Sequence, residues 1–381
     1  MKRDVANFKS LGINTIRVYT IDNSKNHDEG MKMLDDAGIY LALDANTPKY
    51  SLNRESNATL HRSYNDVYLQ NVFATIDAFH NYNNLLLLFS GNEVINERNN
   101  TGAATYIKSV TRDMKRYIGN RSPRKIPVGY SAADVKDNIE QQALYFNCGS
   151  DDERSDFFAF NDYSWCDPSS FTESGWDQKV ELYKDYSKPI FLSEYGCNIN
   201  QRNWGEVAAL YSTNMTSVYS GGLAYEYTVE PNGYGLVEIG SDGKIETNAD
   251  FDRLKDAFAA TNNPTGDGDY KSSGSASECP AASEEWEVKS NALPAMPAKA
   301  EKYMDDGAGK GVGLTGDGSH FAGEPSEATA TSGSGQPTRS ASPGGSDGGS
   351  GGSSAAPGME VPVKMMSVVA AGVLFGAALL F

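Results

Sequence analysis

The sequence predicts an α/β fold, a (β/α)8 or TIM barrel of parallel strands that lacks its first strand, followed by a disordered Ser/Gly-rich stalk. Three observations lead there. Short apolar runs alternate with helix-period segments every 25 to 45 residues or so, the pattern of a parallel sheet with crossover helices. Most of these runs end on polar residues, as strands do at the carboxyl rim of a barrel. Finally, composition changes near residue 262: large apolar and aromatic residues give way to Gly, Ser, Ala, Pro and Thr, which bury too little surface to offset chain entropy.

The elements follow in order. Val5, Phe8 and Leu11 share a helix face that stops at Gly12. Ile13–Tyr19 is the first strand, a helix around Met31 and Leu34 stops at Gly38, and Ile39–Asp44 is the second strand. Leu85–Phe89 is a run of five large apolar residues, suited to a parallel strand buried on both faces. Further strands fall at Ile126–Tyr130, Phe157–Asn161, Ile190–Leu192 and Gly222–Tyr227, and a last helix carries Phe251, Leu254 and Phe258 on one side. Eight strands close such a barrel, and seven preceded by an orphan helix imply that the first is missing. A doubly wound open sheet fits less well, because no Gly-rich phosphate loop follows the first strand.

The apolar end, Met365–Phe381, follows a polar spacer and the small residues Gly351–Ala355, the order of a glycosylphosphatidylinositol (GPI) attachment signal with the lipid at Ser353 or Ser354. The expected divisions are a catalytic barrel over 1–262, a linker over 301–357 and the attachment signal over 358–381. Four sequons, at Asn57, Asn99, Asn120 and Asn214, agree with an exported glycoprotein. Met1–Gly12 reads as a helix and not as a secretory signal, so the expectation is that the true amino terminus is absent.

A formal charge of −17 argues against nucleic acid or anionic lipid as partners and favours a neutral substrate. Four cysteines without metal-site spacing suggest two disulfides, and the four histidines fall in no ligand pattern, so neither metal nor cofactor is expected.

Two strand ends carry the chemistry. The Leu85 run stops on Asn92-Glu93, and about a hundred residues later Ile190-Phe191-Leu192 stops on Ser193-Glu194. Two glutamates on one rim are what retaining glycoside chemistry requires, one protonating the leaving oxygen and the other attacking the anomeric carbon. Arg17, Tyr19, Asp44, Asn46, Asn161, Tyr163, Tyr225 and Tyr227 also fall at strand ends or just beyond. Aromatic faces stack on sugar rings, and amides and carboxylates bind hydroxyls, so the set suits a saccharide groove.

With these residues in view, Ile16–Tyr19, Leu43–Pro48, Gly91-Asn92-Glu93, Tyr145–Gly149, Asn161–Cys166, Ser193–Cys197 and Ser220–Tyr225 resemble glycoside hydrolase family 72, the fungal GPI-anchored β-1,3-glucanosyltransferases of the cell wall. The resemblance runs in unbroken order from residue 1 to about 280. It implies Glu93 as acid/base, Glu194 as nucleophile, Asn92 on the sugar 2-hydroxyl and Arg17 holding Glu194 ionised. It implies Tyr19, Asp44, Tyr163, Tyr225 and Tyr234 as groove residues; from the rim pattern alone, Asn46 and Tyr227 are expected in support. It also implies the disulfides Cys166–Cys197 and Cys148–Cys279, the second making 263–300 a strap that returns to the barrel. Gly30 stands where the family has a cysteine, the first strand is absent, and no Cys-rich carbohydrate-binding module follows, as in the shorter subfamily. The implied protein is a monomer on the outer face of the plasma membrane, or in the wall, taking β-1,3-glucan as donor and acceptor. An endo-β-1,3-glucanase and a non-catalytic glucan-binding wall protein are the alternatives.

Overall fold

Seven parallel strands stand where the sequence places them: β1 (Thr15–Val18), β2 (Tyr40–Asp44), β3 (Leu85–Asn92), β4 (Val128–Ala133), β5 (Phe158–Asp162), β6 (Ile190–Tyr195) and β7 (Tyr219–Tyr225). The structure is a computed structural model that describes residues 1–268, 274–330 and 335, together with the backbone of Val373–Ala377. Each strand pairs with the next from β1 to β7. Helices α1 (Val5–Leu11), α2 (Asp28–Asp36), α3 (Asn57–Ser63), α4 (Asp66–Phe79), α5 (Ala104–Arg121), α6 (Ile139–Phe146), α7 (Trp176–Tyr183), α8 (Gly205–Leu210) and α9 (Ala249–Ala260) fill the connections and follow the last strand. A short antiparallel pair, β8 (Val237–Ile239) and β9 (Ile245–Thr247), precedes α9 and has no counterpart in the sequence reading, since three-residue strands leave almost no periodicity.

The eighth place in the ring is filled from late in the chain. The backbone of Val373–Ala377 lies between β7 and β1, parallel to both, and closes the ring. Two facing strand edges present rows of unpaired N–H and C=O groups, and an extended segment between them satisfies both rows. Part of the segment expected to be a removable tail thus supplies the eighth place in the wall. Ser353 and Ser354, with the rest of the stalk beyond residue 335, lie outside the described residues. Among the described residues no helix is long and apolar enough to cross a membrane.

The core has two layers. Ala42, Leu87, Phe89, Phe157, Ala159, Phe191 and Leu223 plug the barrel interior, with the three phenylalanine rings 5.3–6.1 Å apart. A larger shell, including Ile16, Leu41, Leu88, Val128, Phe158 and Leu192, packs the outer strand faces against the helices. Both faces of β3 are therefore covered, as its leucine run required.

The linker expectation needs correction over 301–330. These residues and those from 284 onward lie on the barrel: Trp286 is fully buried against Tyr145, and Met296, Met304 and Ala308 are buried near α4 and α5. Polar groups also tie the segment down, with Gly313 N–H donating to Asn23 (2.9 Å) and Glu324 N–H to Asp66 (2.7 Å). Its glycines look like linker residues in a sequence, yet they permit close approach here. A Cβ at Gly311 would stand 2.3 Å from Asn23 Oδ1. Both implied disulfides are present, Cys148–Cys279 and Cys166–Cys197.

Candidate active site

The site is built upward from the phenylalanine plug. Arg17, at the rim end of β1, is fully buried and lays its guanidinium 4.3 Å from the centre of the Phe89 ring. Its Nε and Nη2 donate to the two oxygens of Asp44 on β2, at 2.8 and 3.0 Å. Nη2 also reaches Asn92 Oδ1 (2.9 Å), while Nη1 lies 3.4 Å from Glu194 Oε1. Burial by itself would lower the Arg17 pKa, but Asp44, Tyr19 and Glu194 carry it above the ordinary value. This cation is permanent and has nowhere to deposit its proton. Asp44 is only 4 % exposed, with both oxygens engaged by Arg17.

Glu194, on β6, is 7 % exposed. Burial raises its pKa, and three groups oppose that rise: Arg17, then the Tyr163 hydroxyl donating to Oε2 at 2.6 Å and the Tyr19 hydroxyl donating to Oε1 at 2.7 Å. The closest donors to Glu194 are thus two phenols. The charge of Glu93 adds a smaller push upward.

Glu93 follows β3 directly, and its φ of 47° is unusual for a side-chain-bearing residue, a conformation that clusters at functional sites. Several contacts hold it there. Its N–H donates to the Ser131 carbonyl (2.9 Å), its own carbonyl accepts from the Arg54 guanidinium, and Asn161 Nδ2 donates to its Oε1 (2.8 Å). Asn92 Oδ1 accepts from Arg17, from Ser131 Oγ (2.8 Å) and from Asn161 Nδ2 (3.3 Å), which fixes the amide and leaves its N–H donors for a ligand. Ser131 and Ser193 share a hydrogen bond of 2.8 Å beneath this network. Neither serine carried a role in the sequence, and Ser131 lies inside β4 with Ala132 and Ala133 after it, so no polar strand end marks it.

One wall is aromatic. Tyr163, Tyr225 and Tyr234 meet edge to face with ring centres 5.3–6.2 Å apart, and Tyr19 stands 6.3 Å from Tyr225. All four are partly exposed. Asn46 takes a hydrogen bond from the Tyr68 hydroxyl and orders the loop after β2. Tyr227 is a correction: it is fully buried, packs on Phe8 of α1 (4.9 Å) and accepts from Asn7 Nδ2 (3.1 Å). Strand β7 ends at Tyr225, so strand alternation no longer governs where residue 227 points. Asn57, Asn99, Asn120 and Asn214 are all exposed. Among the described residues no cluster of acidic, His or Cys side chains could hold a metal.

The model of the glucanosyltransferase family, glycoside hydrolase family 72, matches residues 1–262. The chain is 62% identical over 316 residues to the 1,3-beta-glucanosyltransferase gel1 of Aspergillus fumigatus, an alignment covering 83% of this chain and 69% of that protein. It is 53% identical over 315 residues to the 1,3-beta-glucanosyltransferase GAS5 of Saccharomyces cerevisiae, covering 82% and 64%. Among solved structures it resembles a mutant of Saccharomyces cerevisiae Gas2p in complex with laminaritetraose and laminaripentaose, with a TM-score of 0.71, 37% identity, and coverage of 79% of this chain and 66% of that one. The chain therefore belongs to the glucanosyltransferase family, glycoside hydrolase family 72.

Proposed function

We propose that this chain is a retaining β-1,3-glucanosyltransferase, which cuts a β-1,3-glucan internally and joins the new reducing end to the non-reducing end of a second glucan. The observation that carries this reading is the pair of rim carboxylates in unlike settings. Glu194 is buried and held by two hydroxyl donors, as a positioned nucleophile should be, while Glu93 is more open and linked to Asn161. In the first step Glu194 attacks the anomeric carbon as the glycosidic C–O bond breaks, and Glu93 gives its proton to the departing oxygen. In the second step ionised Glu93 takes the proton of an incoming sugar hydroxyl, whose oxygen displaces Glu194. The free N–H donors of Asn92 suit the sugar 2-hydroxyl, and the tyrosine wall suits the faces of the neighbouring rings.

Family membership and relatives named 1,3-beta-glucanosyltransferase favour transfer over plain hydrolysis. On the same reading the protein works as a monomer at the cell surface, held by a GPI anchor near Ser353 or Ser354; attachment there removes Val373–Ala377, so the anchored form has the wall β1–β7 without the segment that closes the ring in this chain.

The test is incubation of the chain with reduced laminari-oligosaccharides, sizing the products by mass spectrometry. Products longer than the donor are expected for the native chain, and none for Glu194→Gln. Only shorter products would overturn transfer, and undiminished turnover by Glu194→Gln would overturn the nucleophile.

A further inference from the structure

The loop after β6 contains an arginine that the mechanism does not use. Arg202 is 2 % exposed, yet it touches neither glutamate. Its Nη1 donates to the main-chain carbonyl of Tyr225 (2.9 Å) and its Nη2 to that of Tyr234 (2.6 Å), the two outer residues of the aromatic wall. Its Nε donates to Asp250 in the first turn of α9 (2.8 Å), and its plane lies over the Trp204 ring at 4.6 Å. The loop that carries Arg202 is itself immobilised. Cys197 is joined to Cys166, Asp167 accepts from Asn203 N–H (2.6 Å), and Trp204 covers Gly196, where a Cβ would meet its ring at 2.8 Å. A second tie runs along the wall, where Asn232 donates to the Tyr225 hydroxyl (3.3 Å) and accepts from Tyr234 N–H (3.2 Å).

We propose that Arg202 is a positioning residue for glucan binding: anchored by Asp250, it clamps the two carbonyls so that Tyr225 and Tyr234 present one preformed sugar-binding wall. A planar guanidinium suits this task, because its donors diverge in fixed directions and can grip two segments at once, which a lysine ammonium does with less geometric definition. Tyr225 ends β7 and Tyr234 lies on the following loop, so without the clamp their relative position depends on a surface loop. Sugar binding would then have to order that loop at its own cost.

The proposal rests on the transferase reading and is tested together with it. Using the full chain and laminari-oligosaccharides as donor, Arg202→Met is expected to raise KM roughly ten- to hundred-fold while kcat at saturation changes little, the size expected for misplaced binding groups. Arg202→Lys should recover part of that loss. The same Arg202→Met change made in a Tyr225→Ala, Tyr234→Ala background should add almost nothing to KM, since the clamp would have no wall left to position. An unchanged KM with a reduced active fraction, or a full KM effect persisting in the double-alanine background, would overturn the clamp. Absence of transfer by the native chain would overturn the functional reading instead, so the two failures are distinguishable.

Discussion

Arg17 holds Asp44 more closely than Glu194: it reaches the two oxygens of the β2 carboxylate at 2.8 and 3.0 Å and Asn92 at 2.9 Å, while its contact with Glu194 is 3.4 Å. The pair is buried on both sides, and the buried guanidinium cannot shed its charge. Asp44→Asn should therefore leave a poorly compensated cation in the barrel interior and destabilise the fold by roughly 3–5 kcal/mol. Urea unfolding measures this, and an unchanged midpoint would show that Arg17 is satisfied without Asp44.

The nucleophile is held by Arg17 and by its two hydroxyl donors together. Burial raises the Glu194 pKa, with Arg17, Tyr163 and Tyr19 pulling it down. A nucleophilic carboxylate is active when ionised, so activity should fall as pH drops through this raised value. Tyr163→Phe removes a donor to the ionised form and should shift the acid limb of the kcat/KM profile to higher pH, with about ten-fold lower activity near neutrality. An acid limb that stays in place would reassign the limb to another group.

Glu206 offers a test of stability against pH. It is a buried carboxyl on α8, 2 % exposed with an unpaired Oε2, and burial pushes its pKa up to about 8. In the folded chain it keeps a proton that the unfolded chain sheds near 4.5. Stability is thus fullest below the unfolded value and declines as pH rises from about 4.5 through about 8. Glu206→Gln should abolish this decline and stabilise the protein by a few kcal/mol, roughly 2–4, at pH 8 while changing little at pH 4.5. Melting temperatures of both chains across that range decide it, and parallel curves would refute the assignment.

The Cys148–Cys279 bridge closes a separation of 131 residues and lies ahead of the segment that packs Trp286 and Met304 onto the helices. Cys279→Ser with Cys148→Ser should cost about 3–5 kcal/mol, chiefly by enlarging the unfolded ensemble. It should also speed proteolysis within 274–300 before the barrel is cut. Equal digestion rates for both chains would show that packing alone holds this segment.

Seven strands were legible because each pairs a distinct signal with a simple cause. The leucines of β3 had to be covered on both faces, and Gly12 and Gly38 ended helices, each with φ of 72°. The positions of Glu93 and Glu194 were legible for a similar reason, since a charged residue after an apolar run falls towards the carboxyl rim, Glu93 directly after β3 and Glu194 one residue before the end of β6. Tyr227 was misplaced because strand alternation was carried past the end of β7, and residues 301–330 were misread because glycine content reports chain freedom and not whether a surface is available to fill.

By itself the sequence determined the order of strands, the rim on which the carboxylates stand and the family of the chain, all properties written in local pattern and motif. Only the tertiary structure decided that Arg17 belongs to Asp44, that Ser131 and Asn161 orient Asn92 and Glu93, and that Arg202 grips Tyr225 and Tyr234. These contacts join residues tens of positions apart, 23 for Arg202 with Tyr225 and 39 for Ser131 with Asn92. Periodicity reports which face a residue occupies within its own element. Which side chain it meets depends on how the barrel closes, and closure is a property of the whole ring.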